Sequence, residues 1–314
     1  MSSIQIRASS TKSNLNRPLS QKLLLTYCNL PVRNSTKKLF RILIIVFATL
    51  FCIGDCFAHD GLHEQIIAVT KEIKKDSNNA ALYLKRAELY RLHEEWKKSE
   101  KDFDHAEKLK PNLTVVNLGR GKLWLDTKQF SKAKLALETF LAKEPESFEG
   151  VLTMARVSAK LKQTETSVKY FTEAIAISPQ DSAEIYLERA ETLASANKIS
   201  EALRGLDEGI KNFGGLVTLQ TAAIDLEVKR KNHDAALARL DKLSATMPRK
   251  ESFFLRRGEI LLQAERKCEA RKSLLEAQEG YNSLSTFRKN VRAVKEQMAR
   301  SQKLLAKIPA KECE

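Results

Sequence analysis

The chain repeats itself about every 34 residues, and that period limits its fold more than any other feature. Tyr83-Leu84-Lys85-Arg86-Ala87, Asn117-Leu118-Gly119-Arg120-Gly121, Tyr186-Leu187-Glu188-Arg189-Ala190 and Phe254-Leu255-Arg256-Arg257-Gly258 fall in phase. A larger residue follows each block (Tyr90, Trp124, Leu193, Leu261), then a small one (Ser99, Ala133, Ala202, Ala270), then an apolar one (Phe103, Leu137, Leu206, Leu274). Proline closes three units, at Pro111, Pro145 and Pro179. Val151-Leu152-Thr153-Met154-Ala155 supplies a third unit, and a fourth starts near Ala183 with one extra residue of spacing. In the fifth, Leu219, Ala223 and Leu226 suit a first helix, while Ala236, Leu240, Leu243 and Pro248 suit a second. Read this way, it carries one residue too many around Lys229 to Asp234. A unit this short cannot bury its apolar face alone, so the chain must stack its units into an array.

Alanine, leucine, lysine and glutamate dominate after residue 60 and glycine is sparse, which predicts a nearly all-helical protein. The order of large and small residues resembles the tetratricopeptide repeat, a helix–turn–helix unit. The resemblance covers roughly two thirds of the chain. It implies an all-α solenoid, a right-handed superhelix of helical hairpins with capping helices at its ends and about six repeats over residues 79–280. Ala87, Gly121, Ala155, Ala190 and Gly258 would then lie where paired helices come closest. The prolines fall where one helix must stop, since proline lacks the amide donor and clashes with the preceding turn.

Residues 1–58 read as an address: a basic extension followed by a signal peptide. Lys37, Lys38 and Arg41 precede an apolar run over 42–54, shorter than the ~20 residues a bilayer span requires. Cys56-Phe57-Ala58 suits cleavage after Ala58, which predicts an exported protein, periplasmic or secreted. An uncleaved segment 42–54 that anchors the array is the rival reading. The formal charge of +15 falls to +8 without this leader.

Residues 59–78 predict an N-terminal capping helix, with Asp60 as its cap and Leu62, Ile66, Ile67, Val69 and Ile73 as its apolar stripe. Over 281–314, Phe287, Val291, Val294, Met298, Leu305 and Ile308 recur at three- and four-residue steps, which predicts one amphipathic cap of more than twenty residues and a tail. Its other face is basic, with Arg288, Lys289, Arg292, Lys295, Arg300, Lys303 and Lys307. That face reads either as a solvated surface or as a contact for an anionic membrane surface or envelope polymer. No aromatic residues interleave with the bases to stack on a nucleic acid, so none is expected as a partner.

No catalytic constellation is present in the sequence and no cofactor motif, so an enzyme is not expected. The histidines are scattered, and the mature part holds only Cys268 and Cys313, without zinc-ligand spacing. Those two cysteines either pair or stay free. A chain processed after Ala58 would begin His59-Asp60-Gly61-Leu62-His63, and its terminal amine with His59 and His63 could chelate copper. A copper-binding accessory protein is therefore one alternative function, and a membrane-anchored envelope assembly factor is another.

The leading reading is a non-catalytic scaffold or adaptor that binds a protein or peptide segment outside the cytoplasm. By family resemblance, the concave groove is lined by the first helix of each pair. Leu84, Leu118, Leu152, Leu187 and Leu255 take one groove position, and Glu88, Lys122, Arg156, Glu191 and Glu259 lie one turn later. An apolar ladder flanked by charges suits a segment with spaced apolar anchors. Packing between neighbouring first helices is the alternative role for these leucines. Arg86, Arg120, Arg189 and Arg257, also in register, are expected to join repeats through salt bridges.

Overall fold

The computed structural model describes residues 60–181 and 183–313. The basic extension, the apolar segment 42–54, the cleavage site after Ala58, His59, and Cys28, Cys52 and Cys56 lie outside the described residues, as does the side chain of Asp60. Residues from Gln65 onward form one compact unit.

A first helix, α1 (Asp60–Lys75), includes Asp60 itself rather than starting after it. Six helix pairs follow among the described residues: α2 (Ala80–Leu92) with α3 (Trp96–Leu109), α4 (Thr114–Asp126) with α5 (Phe130–Leu141), and α6 (Phe148–Lys160) with α7 (Thr164–Ile177). The series continues with α8 (Ala183–Ser195) and α9 (Ile199–Asn212), α10 (Val217–Lys229) and α11 (His233–Ala245), and α12 (Glu251–Gln263) and α13 (Lys267–Asn282). Partners pack on each other, and each second helix packs on the next first helix. Every first helix has 13 residues. Side-chain oxygens of Asn79 and Ser147 accept from the amides of Ala81 and Gly150, which satisfies orphan donors at the starts of α2 and α6.

Each first helix ends on the same turn. Glu94, Lys128, Lys162, Asn197, Lys231 and Glu265 all have φ between 58° and 61°. The following amide donates back across the turn each time, as from Glu95 to the Tyr90 carbonyl at 2.8 Å and from Asn232 to Glu227 at 2.9 Å. This is the Schellman closure, built here without glycine. These residues lie 34 apart except for a step of 35 between Lys162 and Asn197. The extra residue lies in the α7–α8 connection, where a 3-10 turn covers Pro179–Asp181.

The same turns correct the reading of the fifth unit. Three residues join α10 to α11, as in every other pair, so no residue is surplus. Counted back from Lys231, the position held by Ala87 or Gly258 elsewhere belongs to Ile224, not Ala223, and Ile224 is buried. Glycine permits a close approach at this position: a Cβ on Gly258 would meet the Leu274 side chain at 2.7 Å, and one on Gly121 would meet Leu137 at 2.7 Å.

The C-terminal helix is not continuous. A single helical turn, α14 (Thr286–Lys289), is followed by Val291 in an extended conformation (φ −65°, ψ 128°) and then by α15 (Arg292–Leu305). The break lets α15 turn onto α13 and α12 as a next first helix would, with Val294, Met298 and Leu305 against their core and Ile308 buried. Phe287 and Val291 are left outside, 83% and 44% exposed. A Cys268–Cys313 disulfide ties the tail to the start of α13, with the Cα atoms 5.2 Å apart.

Tyr281 lies fully buried at the end of α13 and donates to Gln297 Oε1 of α15 at 3.2 Å. Burial, with Glu251 and Glu259 nearby, pushes its phenol up to about 12. The folded state therefore holds this proton at pH values where the unfolded chain, with an ordinary pKa near 10, has lost it. Stability from this group is intact below pH 10 and falls as pH rises towards 12, by about 1 kcal/mol at pH 11. Unfolding free energies at pH 9 and pH 11 should show that extra loss in the wild type and not in Tyr281→Phe. Equal losses in both would remove Tyr281 from the account.

Candidate functional site

The recurrent arginines join units rather than face a ligand. Arg86 of α2 grips Asp102 of α3 through two hydrogen bonds, at 2.6 and 2.8 Å, and reaches back to Thr70 of α1 at 3.2 Å. Arg189 of α8 pairs with Glu208 of α9 at 2.8 Å and donates to Thr172 of α7 at 3.2 Å. Arg257 of α12 spans Asp241 of α11 and Ser273 of α13, and Arg120 of α4 pairs with Asp104 and Glu107 of α3. The hydrogen bonds to Asp102 hold the Arg86 guanidinium above its ordinary range.

The leucine ladder is mostly packed. Leu118 and Leu255 are buried, at 7% and 4% exposure; Leu84, Leu152 and Leu187 are half-buried, and Leu152 and Leu187 lie against the core. The charges one turn later are more accessible and link successive first helices. Lys122 of α4 pairs with Glu88 of α2 at 3.6 Å and with Glu149 of α6, and Arg91 of α2 pairs with Asp126 of α4. Burial tends to raise the Glu88 carboxyl, but hydrogen bonds and charge from Arg91 and Lys122 outweigh it and hold it below its ordinary range.

Further along, the ladder follows one rule: the charge at this position meets a residue on the next helix. Arg156 of α6 grips Glu188 of α8 at 2.6 and 2.8 Å. Asp225 of α10 takes Arg256 of α12 at 2.5 Å, and Glu259 of α12 takes Arg300 of α15. Glu191 of α8 breaks the rule, because the matching position on α10 is Ala222. Among the described residues, exposed Glu191 has no ion-pair partner.

Glu191 borders a cleft. Backbones of successive first helices approach one another at α2/α4, α4/α6 and α8/α10, whereas α6/α8 and α10/α12 stand further apart, the former across the connection with the extra residue. A cavity of about 530 Å³ opens between α6 and α8. Its α6 side presents Arg156, Lys160 and Lys162, its α8 side presents Glu188, Glu191, Thr192 and Ser195, and Phe171 contributes to its lining. The cleft can seat a segment carrying charge of both signs. Of the groove positions read from the sequence, Arg156 and Glu191 line this cavity; Lys160, Lys162 and Ser195, which also line it, were not singled out, because only the opening of α8 from α6 gathers them.

Of the residues considered for copper, His63 lies on α1 and His59 lies outside the described residues. Among the described residues, no group of three or more His, Cys, Asp or Glu side chains is placed to hold a metal.

No family model matches the chain, and no curated protein matches it. Solved structures are similar to it. PilW, a widely conserved type IV pilus biogenesis factor, aligns at TM-score 0.53 and 20% identity over 64% of this chain and 91% of that one. A tetratricopeptide repeat protein from Parabacteroides merdae aligns at TM-score 0.49 and 16% identity, over 82% of this chain and 98% of that one. YrrB, a TPR protein with an unusual peptide-binding site, aligns at 0.48 and 22%, over 63% and 98%. Together with the 34-residue helix–turn–helix period, the likeness to PilW defines the fold: an all-α array of paired helices of the tetratricopeptide type.

Proposed function

We propose that the array is a non-catalytic adaptor, made of six tetratricopeptide units and exported from the cytoplasm, that holds a segment of a protein partner along its first helices. The observation that carries this reading is the cleft between α6 and α8. There the ladder of charges that otherwise satisfies itself leaves Glu191 open beside Lys160 and Lys162. Recognition then rests on charge, with Glu191, Lys160 and Lys162 as the open groups, the Arg156–Glu188 pair lining the same cavity, and Leu152 and Leu187 half-buried on the same two helices. Glu88, Lys122 and Glu259, held in internal pairs, shape the same face, and Leu84, Leu118 and Leu255 support it from beneath. Export is supported by the apolar run at 42–54 and by the disulfide, since such bonds persist in oxidising compartments. PilW acts in pilus biogenesis, and an assembly role in the cell envelope is the setting this reading favours.

Selection of displayed peptides on the folded chain tests it. Selected peptides should carry a basic and an acidic side chain, and Glu191→Lys or Lys160→Glu should weaken them at least tenfold without loss of helix. Leu118→Glu, a charge placed in a packed position, should lower stability instead. Peptides that bind the reversed variants as tightly as the wild type would sink the cleft as the site.

A further inference from the structure

The corner between α13 and α15 is built unlike a soluble cap. A continuous helix would lay Phe287 and Val291 on the same stripe as Val294. The break at Asn290 and Val291 instead leaves Phe287, the most exposed large apolar side chain among the described residues, at 83% exposure on a one-turn helix. Cations surround it in sequence: Arg288, Lys289, Arg292 and Lys295. Arg292 is 93% exposed and pairs with Glu296 along its own helix, while Arg288, Lys289 and Lys295 form no ion pair among the described residues. From Leu284 to Glu312 the chain holds eight Lys or Arg against two acids, Glu296 and Glu312. Phe287 is thus an exposed aromatic side chain flanked in sequence by cations, three of which have no ion-pair partner among the described residues.

We infer that this corner docks on an anionic lipid surface, with Phe287 and Val291 entering the boundary between headgroups and acyl chains and Arg288, Lys289 and Lys295 meeting the phosphates. The chemistry is that of interfacial anchoring, in which a small apolar insertion and a basic cluster act together because neither alone is sufficient. Each cation near such a surface strengthens binding about fivefold. Arg300, Lys303 and Lys307 lie further along, and Arg300 is already engaged by Glu259. The inference sharpens the basic C-terminal face of the sequence to one tip. It does not rest on the cleft, so either can fail alone.

The test places a reporter at the tip of the full chain, so that an apolar leader common to all samples does not decide the result. Phe287→Trp is mixed with vesicles of brominated phosphatidylcholine, with or without about one third phosphatidylglycerol, and wild-type quenching of Trp96 and Trp124 is subtracted. The indole should be quenched at least threefold more with phosphatidylglycerol present. Arg288→Ser with Lys289→Ser in that background should bring quenching to the level seen with phosphatidylcholine alone, whereas Lys303→Ser with Lys307→Ser should keep most of it. Absence of lipid-dependent quenching, or equal loss from both charge pairs, overturns the inference.

Discussion

Replacing Arg86 with alanine is expected to lower the stability of the array by about 3 kcal/mol, because it leaves a buried carboxylate without a partner. Asp102 is buried at its side chain to 9% exposure and receives both hydrogen bonds from Arg86. Arg120 provides the comparison. Its partners Asp104 and Glu107 are 51% and 47% exposed, so water takes over when the arginine goes, and Arg120→Ala should cost about 1 kcal/mol. The third unit shows how the same place is filled without charge: Met154, buried, stands where Arg86 stands, and Tyr170 where Asp102 does. Joint replacement Arg86→Met with Asp102→Leu should therefore recover most of the loss, as apolar substitutes for buried pairs commonly do. Urea unfolding of the three variants decides the matter. Equal costs for Arg86→Ala and Arg120→Ala would show that the buried carboxylate is not the origin of the effect.

The period was readable because it is written in residue size. Ala87, Gly121, Ala155 and Gly258 mark close helix contacts, and Leu137, Leu206 and Leu274 mark what packs on them. Most of the turns were not readable, because their left-handed residues are Lys128, Lys162, Lys231 and two glutamates rather than glycine; only Asn197 is a residue type that commonly marks such a stop. Without such a signal at Lys231, Ala223 looked like the small residue of the fifth unit, and Ile224, a β-branched side chain in that role, was passed over. The break before α15 was hidden for a related reason. Apolar spacing from Phe287 to Ile308 fits a helix well, and no proline or glycine interrupts it; only tertiary packing shows that Val291 is extended. For the site, residue types gave the charged positions along the first helices but not their pairing. Whether Arg156 meets Glu188, or Glu191 finds no ion-pair partner among the described residues, depends on which residue the next first helix places opposite, and the third step, of 35, lies between the helices that carry Arg156 and Glu188.

Removing the Cys268–Cys313 bridge is expected to weaken the C-terminal end of the array and leave the rest nearly untouched. Cross-linking across a separation of 45 residues restricts the unfolded chain by about 4 kcal/mol in the loop-entropy model, and measured values commonly run about 2–4 kcal/mol. The bridge closes a loop containing α13, α14 and α15, and with the buried Ile308 it holds α15 over Leu274, Ala277 and Tyr281. Stability in such arrays is a sum of unit and nearest-neighbour terms, so the loss should stay close to where the bridge acts. In the double variant Cys268→Ser with Cys313→Ser, amide exchange should accelerate about 30-fold or more in α12 to α15, the equivalent of ~2 kcal/mol. Amides of α2 to α7 should change little. Uniform acceleration through all six pairs would mean that the units unfold as one, and the cap would then govern the charged cleft between α6 and α8 from a distance.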